Sequence, residues 1–320
     1  MKHLVVVNPI SFNKKAEMTA VIRDINAYFD RDDNKDIDYY IYISRYPRDA
    51  VSVIKKYIGK TKDTVRVYSV GGDGIMFDCL NGIVTFENAE LAVIPYGISN
   101  DFVRAFGENA AHVFRDIEKQ VKAETIPTDV INVGGKHSLN FCAVGVEAAS
   151  VLKYYGICRK YPDIAKKIGK PLFVVGAPLA LMDKKLVHQE YEVTIDGVNY
   201  NGRYCTINIA NNPCYGGNKT PAPMAHPADG FLDIILAKSI SRLRLLSVIY
   251  DYTKGKYYKY PGIFKYIRGT EVSIRSQSPL QINTDGESYY DARLDAKIIP
   301  SAVKIAAPDG LKYVRRRELL

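Results

Sequence analysis

Two glycine-rich turns and a scatter of carboxylates are the residues through which this chain could do chemistry. Gly71-Gly72-Asp73-Gly74 follows directly on the apolar run Val65–Val70 and precedes a helical pattern beginning at Ile75. Glycines in that position let the backbone approach phosphate oxygens, and the helix that follows offers N–H groups without intrahelical partners to an anion. Asp73 cannot cradle a phosphate. Its carboxylate can hold magnesium through water, order a cleft, or accept a proton from a substrate hydroxyl. The plainer alternative is a tight turn with an N-capping aspartate. The segment is neither a dinucleotide fingerprint nor a Walker loop, since no Gly-Lys-Ser/Thr follows. One strand later, Leu91–Ile94 runs into Pro95-Tyr96-Gly97-Ile98-Ser99-Asn100-Asp101-Phe102-Val103-Arg104, a second strand-turn-helix site, and Asn8-Pro9 ends the first strand in the same manner. Ligands of open parallel sheets bind outside the carboxyl ends of the strands, so these three loops are expected to converge. Two later acidic turns, Asp229-Gly230 and Asp285-Gly286-Glu287, read on their own as solvated connections between strands. The histidines have no mutual i, i+4 spacing, so zinc ligation is not indicated.

The elements that must position these residues fall into two patterns. Up to about residue 125, short apolar runs alternate with helical stretches: Leu4–Val7, Ala16–Phe29, Asp38–Ile43, Asp49–Ile58, Val65–Val70, Ile75–Gly82 and Leu91–Ile94. That order predicts an α/β domain with a parallel sheet and crossover helices over residues 1–125. From 126 to 306 the pattern changes to strands with tight turns, predicting a mostly antiparallel β-rich domain. Gly134-Gly135, between Val130–Val133 and Ser138–Ala143, and Asp196-Gly197, between Tyr191–Ile195 and Val198–Arg203, read as hairpins. Further strands are expected at Cys205–Ala210, Leu232–Ala237, Glu271–Arg275, Leu280–Asn283, Lys297–Ile299 and Ala302–Ile305, with helices near Pro162–Met182 and Ser241–Tyr252. Residues 307–320, with Arg315-Arg316-Arg317, are either a surface tail or a segment that returns to complete the first domain.

The chain has 320 residues, 47% of them hydrophobic and 25% charged, as in ordinary globular proteins. No apolar run suits a secretory signal or a membrane span. Five cysteines without C-x-x-C spacing suggest neither a disulfide framework nor a thiolate zinc site, and reduced cytosol is the expected compartment. The net charge of +9 points to anionic partners. No nucleic-acid signature accompanies it, which favours small anions or a membrane face over nucleic acid. Lys153-Tyr154-Tyr155 and Lys254-Gly255-Lys256-Tyr257-Tyr258-Lys259-Tyr260 mix cations with aromatics, as a headgroup interface does, and equally as a tyrosine-rich surface does.

Taken together and in order, these pieces resemble the diacylglycerol kinase catalytic family, which includes soluble bacterial lipid kinases and sphingosine kinases. Gly71–Gly82 looks like the family's G-G-D-G-T-x-N-E-x-x-N-G, and Pro95–Arg104 looks like its P-x-G-T-x-N-D-F-A-R. Asp129 fits the Asp that opens its second domain, and Asn140 through Glu147-Ala148 resembles its N-x-x-x-G-x-D-A. Asn211–Gly217, continuing to Asp229-Gly230-Phe231-Leu232-Asp233, is similar to its Gly-rich loop and D-G-x-L-D strand, and Asp285-Gly286-Glu287 to its D-G-E.

The resemblance implies a nucleotide-binding first domain, a β-sandwich second domain, and transfer of the γ-phosphate of ATP, with Mg2+, to a lipid hydroxyl. Diacylglycerol, giving phosphatidic acid, is the acceptor expected first. By the same resemblance Glu287 is the base, and Asp73 and Asp101 belong to a water-mediated magnesium network. Asn8, Pro9, Ser11, Ser44, Gly71, Gly72, Gly74, Gly97, Ser99 and Asn100 line the nucleotide, while Asp229 with the carbonyl of Phe231 forms a structural metal site. Expected partners are the lipid, an anionic membrane surface at its inner face, and a second copy of the chain in a homodimer. The departures are Ile75, Phe77 and Ile98 in place of polar residues that would face nucleotide, Phe12 for a glycine, Asp78 for Glu and Glu147 for Asp. They leave open a weakly active or regulatory member of the family, and a third reading is the related NAD kinase.

Overall fold

The computed structural model describes the chain except residues 13, 98, 108, 162–175, 177, 178, 181, 218 and 315–320; of residues 155, 158, 159, 184 and 185 it describes the backbone alone. In chain order the first domain contains β1 (Lys2–Val7), α1 (Lys15–Phe29), β2 (Asp38–Ile43), α2 (Asp49–Ile58), β3 (Val65–Gly71), α3 (Asp73–Ile83), β4 (Ala89–Pro95), α4 (Ala110–Phe114) and α5 (Ile117–Lys122). The strands lie parallel in the order β4-β3-β1-β2. β3 and β4 are buried along their whole length, as strands covered on both faces must be. Alternation assigns the faces: Leu4 and Val6 pack with Ile54, Ile58, Leu80 and Ile83 of α2 and α3, whereas Val5 and Val7 pack with Val21, Ile25 and Phe29 of α1. β2, at the edge, has no fully buried residue. The register sets Val7 beside Val70 and Gly71 beside Pro95, so the loops after β1, β3 and β4 leave the sheet together.

The rest of the chain supplies β5 (Glu124–Val133), β6 (Lys136–Ser138), β7 (Phe141–Gly145), α6 (Val146–Lys160), α7 (Lys184–Val187), β8 (Gln189–Ile195), β9 (Val198–Asn199), β10 (Gly202–Ala210), β11 (Leu232–Lys238), α8 (Arg242–Thr253), β12 (Phe264–Gly269), β13 (Glu271–Thr284) and β14 (Glu287–Ala307). These strands pair antiparallel with one another. One of their cores joins Val133, Val144, Val193, Ile207, Ile234 and Ile282; a second, facing α6 and α8, joins Val146, Ala149, Leu245, Val248, Tyr252 and Phe264. Ile305 of β14 also lies parallel to Leu91 of β4, and Val130, Val303 and Ile305 share the core of the first domain. β5 and β14 thus run through the junction expected at 125 and 306. Beyond β14, Tyr313 packs at a tilt on Phe106 with ring centres 4.5 Å apart, and the Val314 N–H donates to the Ala105 carbonyl. Residues 311–314 therefore lie on the first domain, while the three arginines after them fall outside the described residues.

Both expected hairpins form, with positive φ at Gly134, Gly135, Asp196 and Gly197. Four expected strands are two: Glu271–Thr284 and Glu287–Ala307 continue through shifts of register between Arg275 and Leu280 and between Ile299 and Val303. Such irregularities break the alternation by which a strand is read from sequence. α4, α5, α6, α7 and β12 are additional to the expected elements. α8 matches the expected helix near Ser241, whose Oγ accepts the Arg244 N–H, while the other expected helix, Pro162–Met182, falls almost wholly outside the described residues. Among the described residues no helix is long and apolar enough to cross a membrane. Cys79, Cys142, Cys205 and Cys214 are buried and form no disulfide.

Candidate active site

The floor of the site is backbone packed on backbone. The Tyr96 and Gly97 N–H groups both donate to the Gly71 carbonyl. A Cβ on Gly97 would stand 2.2 Å from Gly72 Cα, so the two loops approach as only glycines allow. Ser11 Oγ accepts the Gly72 N–H at 3.2 Å, and Asn8 caps the short helix Pro9–Ser11, which fixes the loop after β1 against the loop after β3. Asn100 closes its own turn: its amide donates to the Gly97 carbonyl and accepts the Gly97 N–H. Ser99 meets the Asn211–Gly217 loop, within 3.3 Å of where a Cβ on Gly217 would lie. Ser44 donates its N–H to the Val7 carbonyl at the end of β2.

Carboxylates gather over this floor. Asp73, in the first turn of α3, accepts the Asp101 N–H at 2.9 Å. Asp101 in turn accepts the Gly217 N–H at 3.1 Å, tying the second domain's glycine-rich loop to the first domain. Asp285 approaches from the β13–β14 turn, where its carboxylate accepts the N–H groups of Leu139, Asn140 and Phe141. Burial pushes the Asp73 carboxyl up to about 8, with the charges of Asp101 and Asp285 adding to it. Burial also raises Asp285, to about 6, against the opposing hydrogen bonds from those three N–H groups. Carboxyls that resist ionising, as Asp73 and Asp285 do, suit a site that takes up a cation.

Glu287 stands at the start of β14, two residues beyond Asp285, and its side chain is partly open to solvent. Arg48 reaches it across the domain junction at 2.9 Å and reaches Asp78 of α3 at 2.8 Å. The guanidinium also lies over the Phe77 ring, 4.4 Å from its centre. Arg48 holds a left-handed backbone, φ 72, which a non-glycine residue adopts at some cost. Lys136 sits over the Tyr289 ring at 3.2 Å, and burial, followed by the Arg48 charge, lowers its pKa. Sequence reasoning named neither Arg48 nor Lys136, because no local signal marks a side chain whose partners lie on distant elements.

One expectation needs correction. Ile75 and Phe77 do not face a nucleotide: both are 2% exposed, Ile75 packed in the core under α3 and Phe77 supporting Arg48. Phe12 packs on Tyr96, with ring centres 5.2 Å apart. Ile98 lies outside the described residues. At the turn Asp229–Phe231, expected to form a structural metal site, Arg268 pairs with Asp229 at 2.6 Å and lies over the Phe231 ring at 4.3 Å. Among the described residues no group of three or more His, Cys, Asp or Glu side chains is arranged to hold a metal directly. Asp129 ties the same turn down by accepting the N–H groups of Gly230 at 2.7 Å and Ser301 at 2.8 Å.

Comparison with known proteins bears on both halves. Residues 2–133 match the family model of the diacylglycerol kinase catalytic domain, and residues 166–307 match that of the YegS C-terminal NAD kinase beta sandwich-like domain. The chain is 24% identical over 254 residues to a Staphylococcus aureus (strain Newman) protein named "Putative lipid kinase", covering 78% of this chain and 79% of that one. A crystal structure titled as a diacylglycerol kinase from Bacillus anthracis str. Sterne superposes with a TM-score of 0.72 at 23% identity, over 96% of this chain and 97% of that one. At that identity the likeness speaks to the fold: an α/β domain followed by a β-sandwich-like domain.

Proposed function

We propose, on the match of residues 2–133 to the diacylglycerol kinase catalytic domain and of residues 166–307 to the YegS C-terminal domain, that the chain transfers the γ-phosphate of ATP to a lipid hydroxyl, with diacylglycerol as acceptor and phosphatidic acid as product. The observation that carries the reading is the meeting, at one domain junction, of a glycine-built phosphate floor with Asp73, Asp101, Asp285 and Glu287. The phosphates lie along Gly71–Gly74 and Gly97, at the N-terminus of α3. Magnesium, when bound, neutralises charge on the β- and γ-phosphate oxygens; Asp73 and Asp101 are the residues that would hold it, through water. Glu287 takes the proton of the lipid hydroxyl as its oxygen bonds to the γ-phosphorus and the bond to the ADP oxygen breaks. Arg48 holds Oε2 of Glu287 at 2.9 Å, so Oε1 would be the oxygen that accepts the hydroxyl proton.

The regulatory reading drew on Ile75, Phe77 and Ile98; Ile75 and Phe77 are core residues, and Ile98 lies outside the described residues. Transfer of labelled γ-phosphate from ATP and magnesium into detergent-dispersed lipids, with NAD as a competing acceptor, tests the proposal. Label in diacylglycerol or another lipid supports it; label in NAD alone, or no label together with no nucleotide binding, overturns it.

A further inference from the structure

We infer that the outward face of α8 docks the protein on an anionic bilayer. The inference rests on the lipid-kinase reading for its purpose and on the helix itself for its evidence. α8 already buries one face, Leu245, Val248 and Tyr252, against the second domain. Its opposite face is nevertheless apolar and open: Leu243 is 81% exposed, Leu246 50% and Tyr250 70%. At about 100° per residue these three side chains fall within a stripe roughly 60° wide, with Arg242 and Arg244 about 100° to either side of Leu243. Lys254 continues the axis of the stripe past the helix end, and exposed Tyr258 follows.

Charge selects the occupant. Residues 242–259 carry five cations, Arg242, Arg244, Lys254, Lys256 and Lys259, against a single carboxylate, Asp251. Asp251 is engaged by Lys259 at 3.5 Å and by the Tyr260 hydroxyl at 2.9 Å. Leucines that enter the acyl boundary, tyrosine at its polar edge and cations level with the headgroups are the arrangement an interfacial helix presents to acidic lipid.

The helix is also joined to the site. The Tyr252 hydroxyl donates to Glu147 of α6 at 2.9 Å, and the Thr220 N–H donates to the Thr253 carbonyl at 3.0 Å. Thr220 follows the loop whose Gly217 N–H holds Asp101. Docking through α8 would set the cleft beside the surface from which a lipid hydroxyl is drawn.

Sedimentation of the full chain with phosphatidylcholine vesicles, with and without phosphatidylglycerol, tests this. We expect binding to the phosphatidylglycerol vesicles that weakens with salt, and about a tenfold loss in the double variant Leu243→Ser, Leu246→Ser. Arg242→Gln with Arg244→Gln should remove the preference for anionic vesicles. All four side chains lie outside the catalytic constellation, so turnover of a dispersed short-chain diacylglycerol should be unchanged in both variants. Equal vesicle binding by wild type and variants, or no binding by any, overturns the inference. So does a change from dimer to monomer in the leucine variant, which would make the face a contact between copies. Absence of turnover in the wild type would instead strike the kinase reading, because vesicle binding is measured without ATP.

Discussion

Arg48 and Glu287 form an ion pair at 2.9 Å across the junction of the two domains, and the same guanidinium is held by Asp78 and by the face of Phe77. One cation of the α/β domain thereby fixes the candidate base of the β-rich domain. Arg48→Gln should lower kcat on the order of tenfold and leave KM for ATP near its wild-type value, because the phosphate floor is untouched. Arg48→Gly should lose the same activity while recovering about 1 kcal/mol of backbone strain, so it should melt above the glutamine variant. Glu287→Gln should cut kcat by at least about a hundredfold with a stability change under about 1 kcal/mol, since the pair is partly open to solvent. Steady-state kinetics and thermal melts distinguish these outcomes; a fully active Glu287→Gln removes it from the base role.

Asp73 should make the magnesium-free protein less stable as pH rises. Its carboxyl titrates near 8 in the folded chain, against 3.8 for an unperturbed aspartate. The unfolded chain therefore gives up this proton first, and the stability that the protonated form contributes is full below about 3.8 and lost as pH passes 8. Asp285, titrating near 6, acts in the same direction over a lower window. Melting curves between pH 4 and 9 should decline more steeply for wild type than for Asp73→Asn, and magnesium should flatten the wild-type decline. Parallel curves for the two proteins would place Asp73 in solvent.

Gly97→Ala places a methyl group 2.2 Å from Gly72 Cα and must part the two loops. Nucleotide binding, measured calorimetrically, should weaken more than about tenfold, together with a loss of stability. Gly74→Ala has open space and a helical position, so it should melt no lower than wild type. If it weakens nucleotide binding all the same, Gly74 lines the phosphates; if binding is unchanged, the site lies further toward Gly97.

At the Asp229–Phe231 turn, Arg268 supplies the positive charge that a structural metal would bring. Exhaustive chelation should therefore leave the melting temperature where it was, whereas Arg268→Gln should lower it. A chelator-sensitive wild type would show that a metal displaces the guanidinium.

The sequence by itself determined the features encoded by neighbours. Continuous apolar runs specified the buried parallel strands, glycines directly after them specified where backbone could meet phosphate, and Asp-Gly and Gly-Gly pairs specified hairpins, because strand burial and turn conformation depend on a few adjacent residues. Strand count in the second domain was obscured where register shifts interrupt alternation within β13 and β14. Only the tertiary structure decided which carboxylates share an enclosure and which N–H groups or cations hold them. Phe77 read as a lost polar contact and is the platform for Arg48; Asp229 lies 39 residues from Arg268, with which it pairs. Both relations join residues from separate elements, and the field that sets a carboxyl's proton affinity is summed over groups that only folding brings together.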